Sequence, residues 1–194
     1  MSGRLVKWAI ELKGSGRRRF HLRAALSETS FPNSILTTPE KVDAERFDNS
    51  LPLWILHVDG SANQQGYGAG LVLTTPDGSK VEYALRFNFR TSNNEAEYEA
   101  LLAGLRLAKS MSMKQISIHS DSQLIVNQIK ADSAAKDASM LAYLSAAHQL
   151  LQKFQAYEIR QIPRSENSHA DALSRLASAI NDKIGRKVPV EILS

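Results

Sequence analysis

The run LWILHVD, residues 53–59, constrains this chain more than any other: a nearly continuous apolar stretch closed by an aspartate. So short and so apolar a run is expected of a strand buried on both faces, which requires a sheet around it. Two further strand-like runs follow, YGAGLVLTT (67–75) and KVEYALRF (80–87), divided by the tight-turn sequence Pro76-Asp77-Gly78. Together the three predict an antiparallel meander. Ser92-Asn93-Asn94 supplies N-cap chemistry for EAEYEALLAGLRLAKSM, whose apolar residues recur at helical spacing. QISIHSD (115–121) then reads as a strand, SQLIVNQIK as a short helix and 137–154 as a second helix. YEIRQIP (157–163) reads as the closing strand and HADALSRLASAI (169–180) as the last helix. This order predicts an α/β domain, a mixed sheet with helices packed against it.

The first fifty residues have a different character. Residues 1–25 hold Arg4, Lys7, Lys13, Arg17, Arg18, Arg19 and Arg23 against Glu11 alone. A stretch rich in Ser, Thr, Pro and Asn follows. The expected division is a basic arm and linker over 1–50, one domain over 51–180 and a tail over 181–194. A basic arm suits phosphate contact, because each neutralised phosphate releases counterions; it also serves as a plain solvated tail. With no cysteine in the chain, disulfides, thiolate zinc sites and a cysteine nucleophile are excluded. No apolar run approaches the roughly 20 residues that span a bilayer, so no membrane segment is expected. An intracellular setting, nuclear or cytoplasmic, and a monomer are the expectations, and the compartment is left open.

Four acids occupy telling places. Asp59 closes the most apolar strand, Asp121 ends the next buried one, and Glu97 and Asp171 fall in the first turns of two helices. Each has an ordinary structural explanation, a turn residue or a partner for the helix dipole. Together they suggest more. Carboxylates about 4 Å apart repel by about 4 kcal/mol at an effective dielectric of 20, so such a cluster persists only beside positive charge. All-oxygen donors favour hard cations such as Mg²⁺ or Mn²⁺.

The blocks HVDGSAN, SNNEAEYEALLAGL, SDSQLIVNQI and IPRSENSHADALSRLAS, in this order, resemble the type 1 ribonuclease H family, closest to the domains of plant Ty3/gypsy retroelements. The resemblance covers Leu51 to about Ala179. It implies the RNase H-like fold: a five-stranded mixed sheet, three strands in a meander plus two parallel ones, with helices on both faces. It implies metal-dependent hydrolysis of the RNA strand of an RNA–DNA hybrid, with Asp59, Glu97, Asp121 and Asp171 as catalytic ligands of two Mg²⁺ ions and Mn²⁺ as a substitute. It further implies hybrid contacts from Gly60, Ser61, Asn93, Asn94 and Gln123; helix capping is the alternative for the two asparagines, and one of them is expected to cap. A reverse transcriptase or integrase of a parent polyprotein is the implied protein partner.

This chain departs from the family in two places. Many members carry a histidine in the loop before the last acid, where this chain has IPRSEN. Arg164 is the nearest candidate for that role, by electrostatics, with Asn167 beside it; His169, next but one to Asp171, reads as a surface residue opening a helix, with a catalytic role as its alternative. The basic handle that some members insert is also missing, so weaker intrinsic hybrid affinity is expected unless the arm compensates. A silent hybrid-binding module and a retroelement relic with the same fold are the rival readings.

Overall fold

The computed structural model describes residues 47–131, 138–179 and 190–193. The basic arm to residue 46, Trp8 within it, most of the connection after residue 131 and the rest of the tail lie outside the described residues. The elements in chain order are β1 (Leu53–Asn63), β2 (Gly66–Thr74), β3 (Lys80–Phe87), α1 (Asn93–Ser110), β4 (Gln115–Ser120), α2 (Gln123–Ile129), α3 (Ala138–Leu151), β5 (Ala156–Gln161), α4 (Ser168–Ala179) and β6 (Val190–Leu193). The sheet order is β5-β4-β1-β2-β3-β6. β1, β2 and β3 form the antiparallel meander, while β4 and β5 join in parallel on the other side of β1. That is the five-stranded mixed sheet which the resemblance implies. A sixth strand is added by residues read from sequence as tail: β6 runs parallel to β3, with Ala84 opposite Val190.

Register decides which side chains share a face. Residues directly opposite across a ladder point the same way. Asp59 and Gly70 therefore share one face, and Gly60 and Ala69 the other. A Cβ on Gly60 would lie 2.3 Å from the backbone of Ala96 and Glu97 in α1, and one on Gly70 would lie 2.0 Å from the Ala170 carbonyl oxygen in α4. Thus α1 and α4 press on opposite faces, each seated where no larger residue fits. On the α1 face, Leu56, Val58, Ile116, Ile118, Leu101 and Leu105 are at most 1% exposed. Burying each such side chain stabilises the fold by about 1.5–3 kcal/mol.

The opposite face is less uniform. α4 lies over β1, β2 and β3, while a polar row from β1, β4 and β5 occupies the rest. His57 Nε2 is 3.3 Å from His119 Nδ1, His119 Nε2 is 3.0 Å from Ser117 Oγ, and Ser117 donates to Glu158 Oε1 at 2.6 Å. The expectation that 53–59 is buried on both faces is therefore corrected: Ile55 and His57 are only half-buried and Leu53 is exposed. Trp54 packs against the core, as expected.

Two local details also differ from the sequence reading. β1 does not end at Asp59, because its pairing with β2 continues to Asn63 opposite Gly66. Neither Asn93 nor Asn94 caps α1. Ser92 is the cap: its hydroxyl accepts from Glu95 N at 3.3 Å, while Glu95 Oε2 accepts from Ser92 N at 2.7 Å. This reciprocal capping box wins because both partners sit at the required three-residue spacing.

Candidate active site

The site lies where two parallel strands part. β4 pairs with β1 only as far as His119 opposite His57, whereas β1 continues along β2. Asp59 stands two residues past that point on β1, and Asp121 follows the last residue of β4. The close seat of α1 on Gly60 brings Glu97 to the same place, where Gly60 N donates to Glu97 Oε2 at 3.1 Å. One oxygen from each of Asp59, Glu97 and Asp121 lies within 4.8 Å of the others.

Asp171 flanks this group rather than joining it. Its Oδ1 accepts from Arg164 Nη2 at 2.6 Å, and its Oδ2 lies 3.1 Å from Arg175 Nε. The structure therefore brings three of the four expected acids to one point and pairs the fourth with arginines beside them. Asp171 remains close enough for its charge to act on Asp59.

The electrostatics report crowding of like charge. The Glu97 carboxyl is pushed up to about 8, first by burial and then by the negative charges of Asp59 and Asp121. The Asp59 carboxyl is pushed up to about 6, mainly by burial, against the lowering effect of its bond from Ser174. Arg164 lowers both, so this exposed guanidinium serves as a cation for the whole group. Three converging carboxylates, two of them buried and short of positive charge, fit a hard divalent cation.

The expected hybrid contacts divide into two sets. Asn93, Asn94 and Gln123 are exposed, at the starts of α1 and α2. Ser61 is half-buried, its hydroxyl 3.5 Å from that of Ser178. Gly60 is buried and its N–H is engaged by Glu97. Asn167 is no surface residue: it is 1% exposed, and its Nδ2 donates to Val58 O at 3.0 Å and to Asp121 Oδ1 at 2.9 Å. His169 is exposed and turned toward Glu82, at 3.8 Å, as its reading as a surface residue anticipates.

Ser174 is the site residue that the sequence reading missed. It is fully buried and its hydroxyl donates to Asp59 Oδ2. A signal was available, since Ala170, Ser174, Ala177 and Ser178 form the buried stripe of α4. A hydroxyl in such a stripe needs a buried acceptor.

Comparison with known proteins agrees with this fold. The family model described as reverse transcriptase-like matches residues 57–177, and the chain belongs to that family, within the ribonuclease H group. It is 32% identical over 123 residues to ribonuclease HI of Halobacterium salinarum, an alignment covering 62% of each protein. It is 30% identical over 115 residues to a bifunctional protein of Mycobacterium tuberculosis, covering 59% of this chain and 31% of that protein. The chain thus spans less than two thirds of either relative. Among solved structures, RNase H1 from Halobacterium salinarum superposes with a TM-score of 0.61 at 31% identity, covering 64% of this chain and 96% of that one. The N-terminal RNase H domain of the M. tuberculosis protein gives 0.58 at 27% identity, covering 65% and 98%. LC11-RNase H1 in complex with an RNA/DNA hybrid shares the fold, with a TM-score of 0.53 at 23% identity, covering 64% and 95%.

Proposed function

We propose that this chain is a ribonuclease H, hydrolysing the RNA strand of RNA–DNA hybrids at the carboxylate group of Asp59, Glu97 and Asp121 with Asp171 alongside. The observation that carries the reading is the convergence of one oxygen from each of three acids within 4.8 Å, in a chain whose relatives include ribonucleases H. Two Mg²⁺ ions, or Mn²⁺ in their place, would polarise the scissile phosphate and lower the pKa of a bound water.

The chain's own residues supply position and charge. Asp59, Glu97 and Asp121 offer converging oxygens, and Asp171 lies within reach of the same region through its coupling to Asp59. Arg164, paired with Asp171, supplies positive charge beside the cluster and is our candidate for the role of the missing loop histidine. Asn93, Asn94 and Gln123, exposed at two helix starts, offer amide groups to a minor groove, where the 2′-hydroxyl distinguishes RNA from DNA. Gly60 and Ser61 follow Asp59 on β1 and are the strand's candidates for contact with the hybrid. A domain of this kind fits a retrotransposon polyprotein beside a reverse transcriptase or integrase, in keeping with the resemblance to plant Ty3/gypsy domains. No helix among the described residues is long and apolar enough to cross a membrane.

The test is cleavage of a labelled RNA–DNA hybrid in Mg²⁺, with RNA–RNA and DNA–DNA duplexes as controls. Selective cutting of the hybrid, abolished in Asp121→Asn, is the expected outcome. An intact hybrid after incubation with the parent protein overturns the reading in favour of a silent binding module.

A further inference from the structure

We propose that Ser174 and Asn167 are positioning residues of the metal site, each tying down one oxygen of a ligand carboxylate and so favouring cation binding through the other. The inference rests on the ribonuclease reading and extends it to metal selectivity.

Three carboxylates are held in the same manner. Ser174 donates to Asp59 Oδ2, Gly60 N to Glu97 Oε2 at 3.1 Å, and Asn167 Nδ2 to Asp121 Oδ1 at 2.9 Å. The Ser174 hydroxyl also lies 2.9 Å from the Asp171 carbonyl oxygen, but it has one proton, and the charged oxygen is the stronger acceptor. Asn167 spans the two parted strands, because its second bond goes to Val58 O on β1. Its own Oδ1 is buried with no protein partner among the described residues. A buried acceptor left unpaired costs stability.

The consequence is chemical. A donor on one oxygen of a carboxylate favours cation binding through the other, in monodentate fashion. Mg²⁺ and Mn²⁺ accept single oxygens in octahedral shells, whereas Ca²⁺ takes carboxylates in bidentate fashion as well, at longer distance. The tethers therefore set the site against Ca²⁺ as well as pre-aligning it for the smaller ions. Loss of a partner that orients a ligand weakens metal binding by roughly 10–100-fold.

The experiment measures Mn²⁺ binding to the full chain by the paramagnetic resonance of free ion, with Ca²⁺ as competitor, for the parent, Ser174→Ala and Asn167→Ala. Alanine at 174 is smaller and a better helix former, so that variant should fold; circular dichroism and Tm monitor both. Mn²⁺ affinity should fall by about tenfold or more, Ca²⁺ affinity should fall less, and the Mg²⁺ needed for half-maximal cleavage should rise while the rate at saturating Mg²⁺ largely recovers. Unchanged Mn²⁺ affinity in a folded Ser174→Ala protein overturns the proposal. So does an equal loss of both ions accompanied by a lower Tm, the mark of a structural role alone. A parent that binds Mn²⁺ but cuts no hybrid sinks the ribonuclease reading and leaves the tethers standing. A parent that binds no Mn²⁺ sinks both.

Discussion

Glu97 and Glu99 sit two positions apart on α1, are each 8% exposed, and have carboxyls pushed up first of all by burial. Their neighbours differ. Glu99 accepts from the Tyr143 hydroxyl at 2.9 Å and has the opposite charge of Arg106 near it. Glu97 accepts one backbone N–H and lies against Asp59 and Asp121, both of its own sign, with the exposed Arg164 as a smaller opposing influence. Burial alone therefore does not mark a functional acid. An acid surrounded by acids does, because the protein leaves its charge for something else to neutralise.

Predictions can break this contrast or sharpen it. The largest effect expected is on catalysis: Glu97→Gln should slow hybrid cleavage by about 1,000-fold, as the loss of several kcal/mol of transition-state stabilisation requires. Glu99→Gln should leave the rate within about twofold, since the residue is not coupled to the cluster. Comparable losses in both variants would erase the distinction. Next comes stabilisation by metal: Mg²⁺ at 100 times its Kd should raise stability by about 2.7 kcal/mol, read as a Tm increase in the parent that is much reduced in Glu97→Gln and retained in Glu99→Gln.

The third prediction concerns pH. A carboxyl whose pKa is raised by folding leaves stability whole below its unfolded value and removes it as pH rises through the folded one. For Glu97 the loss runs from the ordinary glutamate range up to about 8. His57, lowered to about 4 chiefly by burial, acts oppositely but only below the ordinary histidine range. Between pH 7 and 9 the metal-free protein should therefore lose stability, and Glu97→Gln should flatten that slope. A parent slope equal to that of the variant, measured by urea unfolding in a chelator, counts against the assigned burial of charge. A smaller effect is the cost of Glu99→Gln itself, about 1 kcal/mol for one weakened buried hydrogen bond. The smallest belongs to Arg164→Ala, an exposed partner worth up to about 1 kcal/mol. That corresponds to about fivefold or less in cleavage rate.

Much of the fold was legible because sheets and helices impose short periods on sequence. The apolar run at 53–58 and the Pro76-Asp77-Gly78 turn, where Gly78 has φ +85°, specify the meander locally. The helical spacing of Leu101, Leu102 and Leu105 specifies α1. At the start of α1 a competing local device decided: Ser92 and Glu95 form a capping box, so neither asparagine caps. β6 escaped notice because a four-residue strand carries too few alternations to register a period.

Sequence alone determined the order of strands and helices from β1 to α4, and it placed acids at residues 59, 97, 121 and 171. Both follow from patterns that extend over only a few residues. Only the tertiary structure decided that three of those acids converge while Arg164 and Arg175 hold the fourth. It alone revealed Asn167 bonded to Val58 across 109 positions and Ser174 to Asp59 across 115. Hydrogen bonds and metal ligation depend on distances of a few tenths of an ångström between residues remote in the chain, and no local period in the sequence encodes such a distance.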